Sequence, residues 1–254
     1  MLDKLALDCH AHFELYSKSK IEEEIELAKK CVEVVFDSIT EYRKAHVWKS
    51  WEILKPYFGY IIPTIGFHPN EAKRGNWDRV KKVEDFLREK HKEIVAVGEI
   101  GLDFYHAKTE VERENQMKIL RHFLKISSEL NLPVVIHARK AEELAFKEVD
   151  KFDVKAYFHS FTGDVNLAKE IEFIGISTGI RFIPEVREVA KKVDLENILI
   201  ETDSPYMSPF KGKVNNPCNV FVVLEDLEKL KGVEVEEIIE VVRKNTSKFF
   251  GINL

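Results

Sequence analysis

Cysteine is scarce in this 254-residue chain: Cys9, Cys31 and Cys218 form an odd set with no Cys-x-x-Cys spacing. Neither a thiolate zinc site nor a disulfide framework is indicated, and all three are expected to pack as small residues in or near the core. Long apolar runs are missing too, since none approaches the roughly 18 residues that span a bilayer. The opening stretch Met1 to Asp8 has no basic segment followed by an apolar run, so no secretory leader is expected and the cytoplasm is the expected compartment. Glutamine occurs once, at Gln116, against 32 glutamates and 29 lysines, the mix of hot-adapted proteins. A net charge of −5 lacks the broad basic footprint of a nonspecific duplex binder, although a local basic mouth remains compatible with it. Low-complexity tracts, Ser/Pro-rich linkers and fixed-period repeats are absent.

What is present is a core-forming composition, 44% hydrophobic and 33% charged, arranged as short β-branched runs alternating with amphipathic stretches. Eight runs read as strands: Leu5 to Cys9, Val32 to Phe36, Tyr60 to Gly66, Ile94 to Ile100, Pro133 to His137, Val154 to His159, Phe173 to Thr178 and Ile198 to Glu201. Between them, Glu/Lys-rich segments such as Ile21 to Lys30, Asp78 to Lys90 and Glu110 to Leu130 read as helices with solvated charged faces. Asn219 to Leu230 and Val235 to Phe249 read as closing helices punctuated by Gly232. The expectation is an α/β fold, a single (β/α)8 TIM barrel over residues 1–254, monomeric, with its site at the C-terminal face of the strands.

Five of these strands end in metal-binding residue types: His10 and His12, Glu99, His137, His159 and Asp203. In a barrel all strand C-termini converge on one face, so residues far apart in sequence gather around one pocket. His10 and His12, two residues apart, can point the same way and share a cation, while Glu99 has two oxygens with which to bridge a pair. Imidazoles and carboxylates suit zinc, manganese or a similar divalent ion. Such a donor set implies hydrolysis by a hydroxide held on or between two divalent cations.

The stretches DCHAH, IGFHP (Ile65 to Pro69), GEIGLDF (Gly98 to Phe104), VIHAR (Val135 to Arg139), FHSFTG (Phe158 to Gly163) and ETDSPY (Glu201 to Tyr206) resemble the TatD family of metal-dependent deoxyribonucleases, within the metallo-dependent hydrolase superfamily. They run in the family's order across nearly the whole chain. The resemblance implies a binuclear site in which His10, His12 and Asp203 hold one ion, His137 and His159 the other, and Glu99 bridges them, with Asp203 also orienting the nucleophile or accepting its proton. Related amidohydrolases often carry a modified lysine at the bridging position, so glutamate there favours the nuclease branch. The implied cofactors are two divalent ions, zinc, manganese or magnesium; the implied partner is DNA, shortened from single-stranded 3′ ends. Where the family often reads Arg-Asn-Glu-Pro, this chain has Val214-Asn215-Asn216-Pro217, and Val32 to His46 lacks the expected glycine-containing turn and polar loop.

Arg139 and His68 are expected to contact phosphate, with a salt bridge from Arg139 to Glu142 or Glu143 and a structural hydrogen bond at His68 as the alternatives. Tyr105 is a candidate to stack on a base or simply to pack, Asp103 to orient a ligand or to brace the loop after the fourth strand, and Glu201 to share the orientation of Asp203 or to brace the barrel interior. Lys108, Arg181, Lys211 and Lys213 suggest a basic rim. The rival readings are a barrel amidohydrolase or esterase acting on a small molecule or aminoacyl group, and a metal-loaded binding module without turnover.

Overall fold

The computed structural model describes residues 5–254. Of the opening stretch Met1 to Asp8, Met1 to Lys4 lie outside the described residues. Eight parallel strands follow one another around a single sheet, β1 (Ala6–Ala11), β2 (Val32–Glu41), β3 (Ile61–Phe67), β4 (Val97–Asp103), β5 (Val134–Arg139), β6 (Ala156–Phe158), β7 (Phe173–Ile176) and β8 (Ile198–Ile200). A parallel bridge from Ala11 to Ser204 brings the two edges together, with backbone bonds His12 N to Ser204 O at 2.8 Å and Asp203 N to His10 O at 2.9 Å. The expected TIM barrel is therefore observed.

Parallel strands need crossover connections, and helices supply them. These are α1 (Ile21–Ala28), α2 (Val47–Leu54), α3 (Pro69–Ala72), α4 (Trp77–Lys90), α5 (Glu110–Leu130), α6 (Glu142–Val149), α7 (Val165–Glu170) and α8 (Pro184–Lys192); α9 (Val220–Lys231) and α10 (Val235–Phe250) follow the last strand. Helix α5 has the bounds read from sequence because both ends are signalled locally. Thr109 and Glu112 form a reciprocal capping box, and Asn131 takes the left-handed conformation (φ 53°) that stops it. A main cluster of buried aliphatic residues spans strands and helices, and a second draws Leu7, Phe36, Val135, Phe173 and Leu199 against Phe249 and Phe250 at the end of α10.

Strand β4 runs three residues later at each end than the Ile94 to Ile100 read from sequence, so Glu99 lies inside it. Two further features depart from the sequence reading. Strand β2 continues five residues further than expected, through Asp37, Ser38, Ile39, Thr40 and Glu41, all buried. Partners from other elements hold these polar residues in a buried strand: Asp37 Oδ2 accepts from Phe13 N while its Oδ1 has no hydrogen bond among the described residues, Ser38 pairs with Thr40, and Glu41 takes Val47 N and Arg79. The turn after it is made without glycine, Arg43 itself adopting φ 52°. The second departure corrects the cysteine reading. Cys31 and Cys218 are joined in a disulfide with Cα atoms 5.2 Å apart, across 187 residues, and only Cys9 is a free buried thiol.

Candidate metal centre

His10 lies within β1, His12 just beyond it, Glu99 in β4, His137 in β5, His159 one residue past β6 and Asp203 three past β8, so the barrel brings all six to one end. Glu99 stands between two groups of donors. Its Oε2 is 3.5 Å from His12 Nε2 and 3.9 Å from His10 Nε2, and both imidazoles face Asp203 Oδ1, at 3.6 and 3.8 Å. Its Oε1 is 2.6 Å from His137 Nδ1 and 3.0 Å from His159 Nε2. His10 Nε2 and His12 Nε2 are 3.1 Å apart, as are His137 Nδ1 and His159 Nε2. Two donors about 2.1 Å from one ion lie about 3.0–3.4 Å from each other, and the 3.1 Å separation within each histidine pair has that value. His10, His12 and Glu99, then His10, His159 and Asp203, and also His68, Glu99 and His137 each bring three donor atoms close enough together to hold a metal ion.

The outward ring atoms support the same fit. A neutral imidazole offers a lone pair inward only if its proton sits on the other nitrogen. His12 Nδ1 donates to Ser38 O at 3.0 Å, His137 Nε2 faces Asp103 Oδ2 at 3.6 Å, and His159 Nδ1 faces Glu201 Oε1 at 3.6 Å. Asp8 ties the two barrel edges behind the site: its carboxylate accepts from Thr202 N, Thr202 Oγ1 and His10 N, and burial pushes its carboxyl up to about 7. Asp203 holds a left-handed backbone (φ 56°), an uncommon conformation for aspartate that the surrounding bonds must enforce. Two glycines let strands approach Glu99 and His137: a Cβ on Gly66 would lie 2.3 Å from the Glu99 backbone, and one on Gly101 (φ 150°) 1.9 Å from His137 O.

Burial raises the cost of charge here, but the partners decide the outcome. Burial pushes the Glu99 carboxyl up, yet His68, His159 and the bond from His137 outweigh it and hold the group well below the usual range. Burial lowers His10, reinforced by the neighbouring imidazoles. It opposes protonation of His137 and His12 too, but Asp103 and Glu99 carry the former, and Glu14 with Glu99 the latter, up to about 10. A site that collects protons in this way is one where cations compete for the same lone pairs.

His68 is held as a helix cap and also faces the site. Its Nδ1 accepts from Asn70 N at 3.0 Å, which leaves the proton on Nε2, 3.5 Å from Glu99 Oε1; burial lowers the ring to about 3. It therefore points a neutral donor at the centre. Arg139 makes neither alternative salt bridge: its guanidinium lies 4.1 Å over the Tyr105 ring, at a cavity of about 330 Å³ shared with Glu99, His137, His159 and Asp203. Tyr105 is 47% exposed and does not line that cavity. Asp103 Oδ2 stands 3.6 Å behind His137 Nε2, while Glu201 accepts from Tyr157 Oη and Ser160 N inside the barrel. Arg181 leaves the rim, being paired with Asp226 and Glu225; Lys108 stays there over Tyr105, and Lys211 and Lys213 are exposed. Of the departures in the last loop, Val214 is exposed, whereas Asn216 bonds Glu24 and caps the turn leading to α9. Sequence reasoning missed Asn70, Tyr42 and His106 in the cavity wall. His106 was detectable as a further histidine three residues beyond the Asp103 that ends β4.

Residues 7–251 match the family described as TatD related DNase. The chain is 38% identical to a metal-dependent hydrolase of Methanocaldococcus jannaschii, over 98% of each. It is 29% identical to the deoxyribonuclease TATDN3 of Homo sapiens, over 96% of this chain and 94% of that protein. The crystal structure of YjjV, a TatD homologue from Escherichia coli K12, superposes with a TM-score of 0.87 at 25% identity, covering 97% of this chain and 98% of that one.

Proposed function

Because this chain belongs to the TatD-related DNase family of metal-dependent hydrolases, we propose that it cleaves phosphodiester bonds of DNA, working from unpaired 3′ ends. The observation that carries the reading is Glu99, buried and ionised between two sets of imidazole and carboxylate donors. In this reading His10, His12 and Asp203 would hold one divalent ion and His137 and His159 a second, with Glu99 the ligand they would share. Bound there, zinc, manganese or magnesium supplies Lewis acidity, lowering the pKa of water and screening phosphate charge.

The chain's own groups do the rest. Asp203, at the end of the barrel where the cavity opens, accepts the proton of the attacking water. His68 Nε2–H donates to a non-bridging phosphate oxygen as charge builds there. Arg139, with no acceptor for its guanidinium among the described residues, grips a phosphate of the substrate, and Tyr105 beneath it keeps the plane of the fork fixed. A recess of about 330 Å³ ending on buried donors admits a frayed end more readily than a paired duplex, which is why unpaired ends are favoured.

The test is cleavage of end-labelled single-stranded DNA by chelator-stripped protein refilled separately with magnesium, manganese or zinc, with Glu99→Gln alongside. Metal-dependent shortening from the 3′ end, lost in the variant, is expected. A fully loaded protein that leaves DNA intact but hydrolyses amides or carboxylic esters would replace this reading with the amidohydrolase one.

A further inference from the structure

We infer that His106, buttressed by Asp103, is a specificity-determining residue that donates a hydrogen bond to a second substrate phosphate adjoining the scissile one. The inference rests on the phosphodiesterase reading above and adds to it a requirement for two phosphates in series.

Asp103 stands between two imidazoles. Its Oδ2 lies 3.6 Å from Nε2 of His137 on the metal side and 2.6 Å from Nδ1 of His106 on the other. The His106 backbone N–H donates to Asp103 Oδ1 at 2.9 Å, and Lys73 Nζ donates to the His106 carbonyl at 3.1 Å, so ring and loop are both clamped. With Nδ1–H committed to the carboxylate, Nε2 on the opposite edge of the ring has no protein partner among the described residues, and His106 lines the cavity that Arg139 and Glu99 also line. A ring whose Nδ1 proton is on a carboxylate donates from Nε2 as the imidazolium, the doubly protonated form that a carboxylate on one side and a phosphate on the other both favour.

Arg139 is the companion group. Its guanidinium lies over Tyr105, whose ring meets His106 edge-on at 4.9 Å, so one aromatic ring carries both groups on the same wall. Two unused cationic or charge-assisted donors side by side are matched by anionic oxygens. The His137–Asp103 pair separates this wall from the donors around Glu99, so an anion bound at His106 is a different phosphate from the one being cleaved. A loop brace alone would need the Asp103 contact but would not need an open Nε2 in the cavity.

The test compares bis(p-nitrophenyl) phosphate, which has one phosphate, with a 5′-phosphorylated thymidine dinucleotide, which has two, using metal-loaded enzyme. His106→Ala is expected to raise KM for the dinucleotide about 10- to 100-fold while changing kcat/KM for the single-phosphate ester by less than about twofold. His106→Gln, which can present an amide N–H near the Nε2 position, should recover part of the loss; His106→Asn, which can restore only the Asp103 contact, should not. In metal-free protein the His106 Nε2 resonance should shift with the phosphorylated dinucleotide and not with thymidine. Equal losses on both substrates, rescue by Asn alone, no change in His106→Ala, or a silent resonance would each overturn the assignment while leaving the phosphodiesterase reading in place. A wild-type enzyme that cleaves neither substrate with any metal would overturn both.

Discussion

Breaking the Cys31–Cys218 bond should destabilise the protein by several kcal/mol. Cys31 sits in the turn between α1 and β2, and Cys218 in the short turn that opens α9, so the bond closes a ring of 187 residues. The chain-entropy relation for a loop of that length gives about 5 kcal/mol, and native disulfides usually deliver about 2–4. For a chain of this size each kcal/mol moves Tm by about 2–4 °C, so reduction should lower it by about 10 °C. Cys31→Ala, Cys218→Ala and the double variant should melt together, because any one substitution opens the whole ring and the second adds little. Scanning calorimetry with and without a dithiol reads the shift, and thiol titration in denaturant counts one reactive group before reduction and three after. The single group is Cys9, whose thiol burial pushes up in the native state. Three titratable thiols without reductant, or a midpoint indifferent to the dithiol, would refute the reasoning.

Glu99→Gln keeps the shape of the site but removes its central charge, and should cost at least about 100-fold in activity with a loss of bound metal measured by elemental analysis. His12 and His137, raised to about 10, are protonated at pH 7 without metal, so ion binding should release about two protons; affinity should then climb as pH rises toward 10, and calorimetry in buffers of different ionisation enthalpy would expose the proton count, identical heats contradicting it. Glu148 is held down to about 2 by Arg121 and Lys151, so its stabilisation is complete above the unfolded value near 4.5 and is lost as pH falls toward 2. Solvent at the Arg121 side screens the pair to about 1 kcal/mol, and Glu148→Gln should flatten that part of the acid-denaturation curve. Gly101→Ala drives a Cβ into the His137 carbonyl and should cost more than about 2 kcal/mol in denaturant melts, with weakened metal retention.

Local signals made much of the fold legible. The eight strands stand out because each is a short apolar run between helices with solvated faces, and α5 ends where Thr109, Glu112 and Asn131 say it should. The end of β2 was not legible, because Asp37, Ser38, Thr40 and Glu41 read as loop residues until their partners on other elements are known. The tautomer of His68 was equally hidden, being decided by one backbone N–H from Asn70, and so was the commitment of Arg181 to Asp226 and Glu225 on α9.

By itself, the sequence determined the donor types, their position at strand ends and the barrel that gathers them, since all three follow from residue identity and short-range periodicity. Only the tertiary structure decided which Glu99 oxygen faces which imidazoles, that His106 shares Asp103 with His137, and that Cys31 meets Cys218. Those are distances between atoms brought together from separate parts of the chain, and they acquire values only when the barrel closes and burial forces each polar group to find its partner.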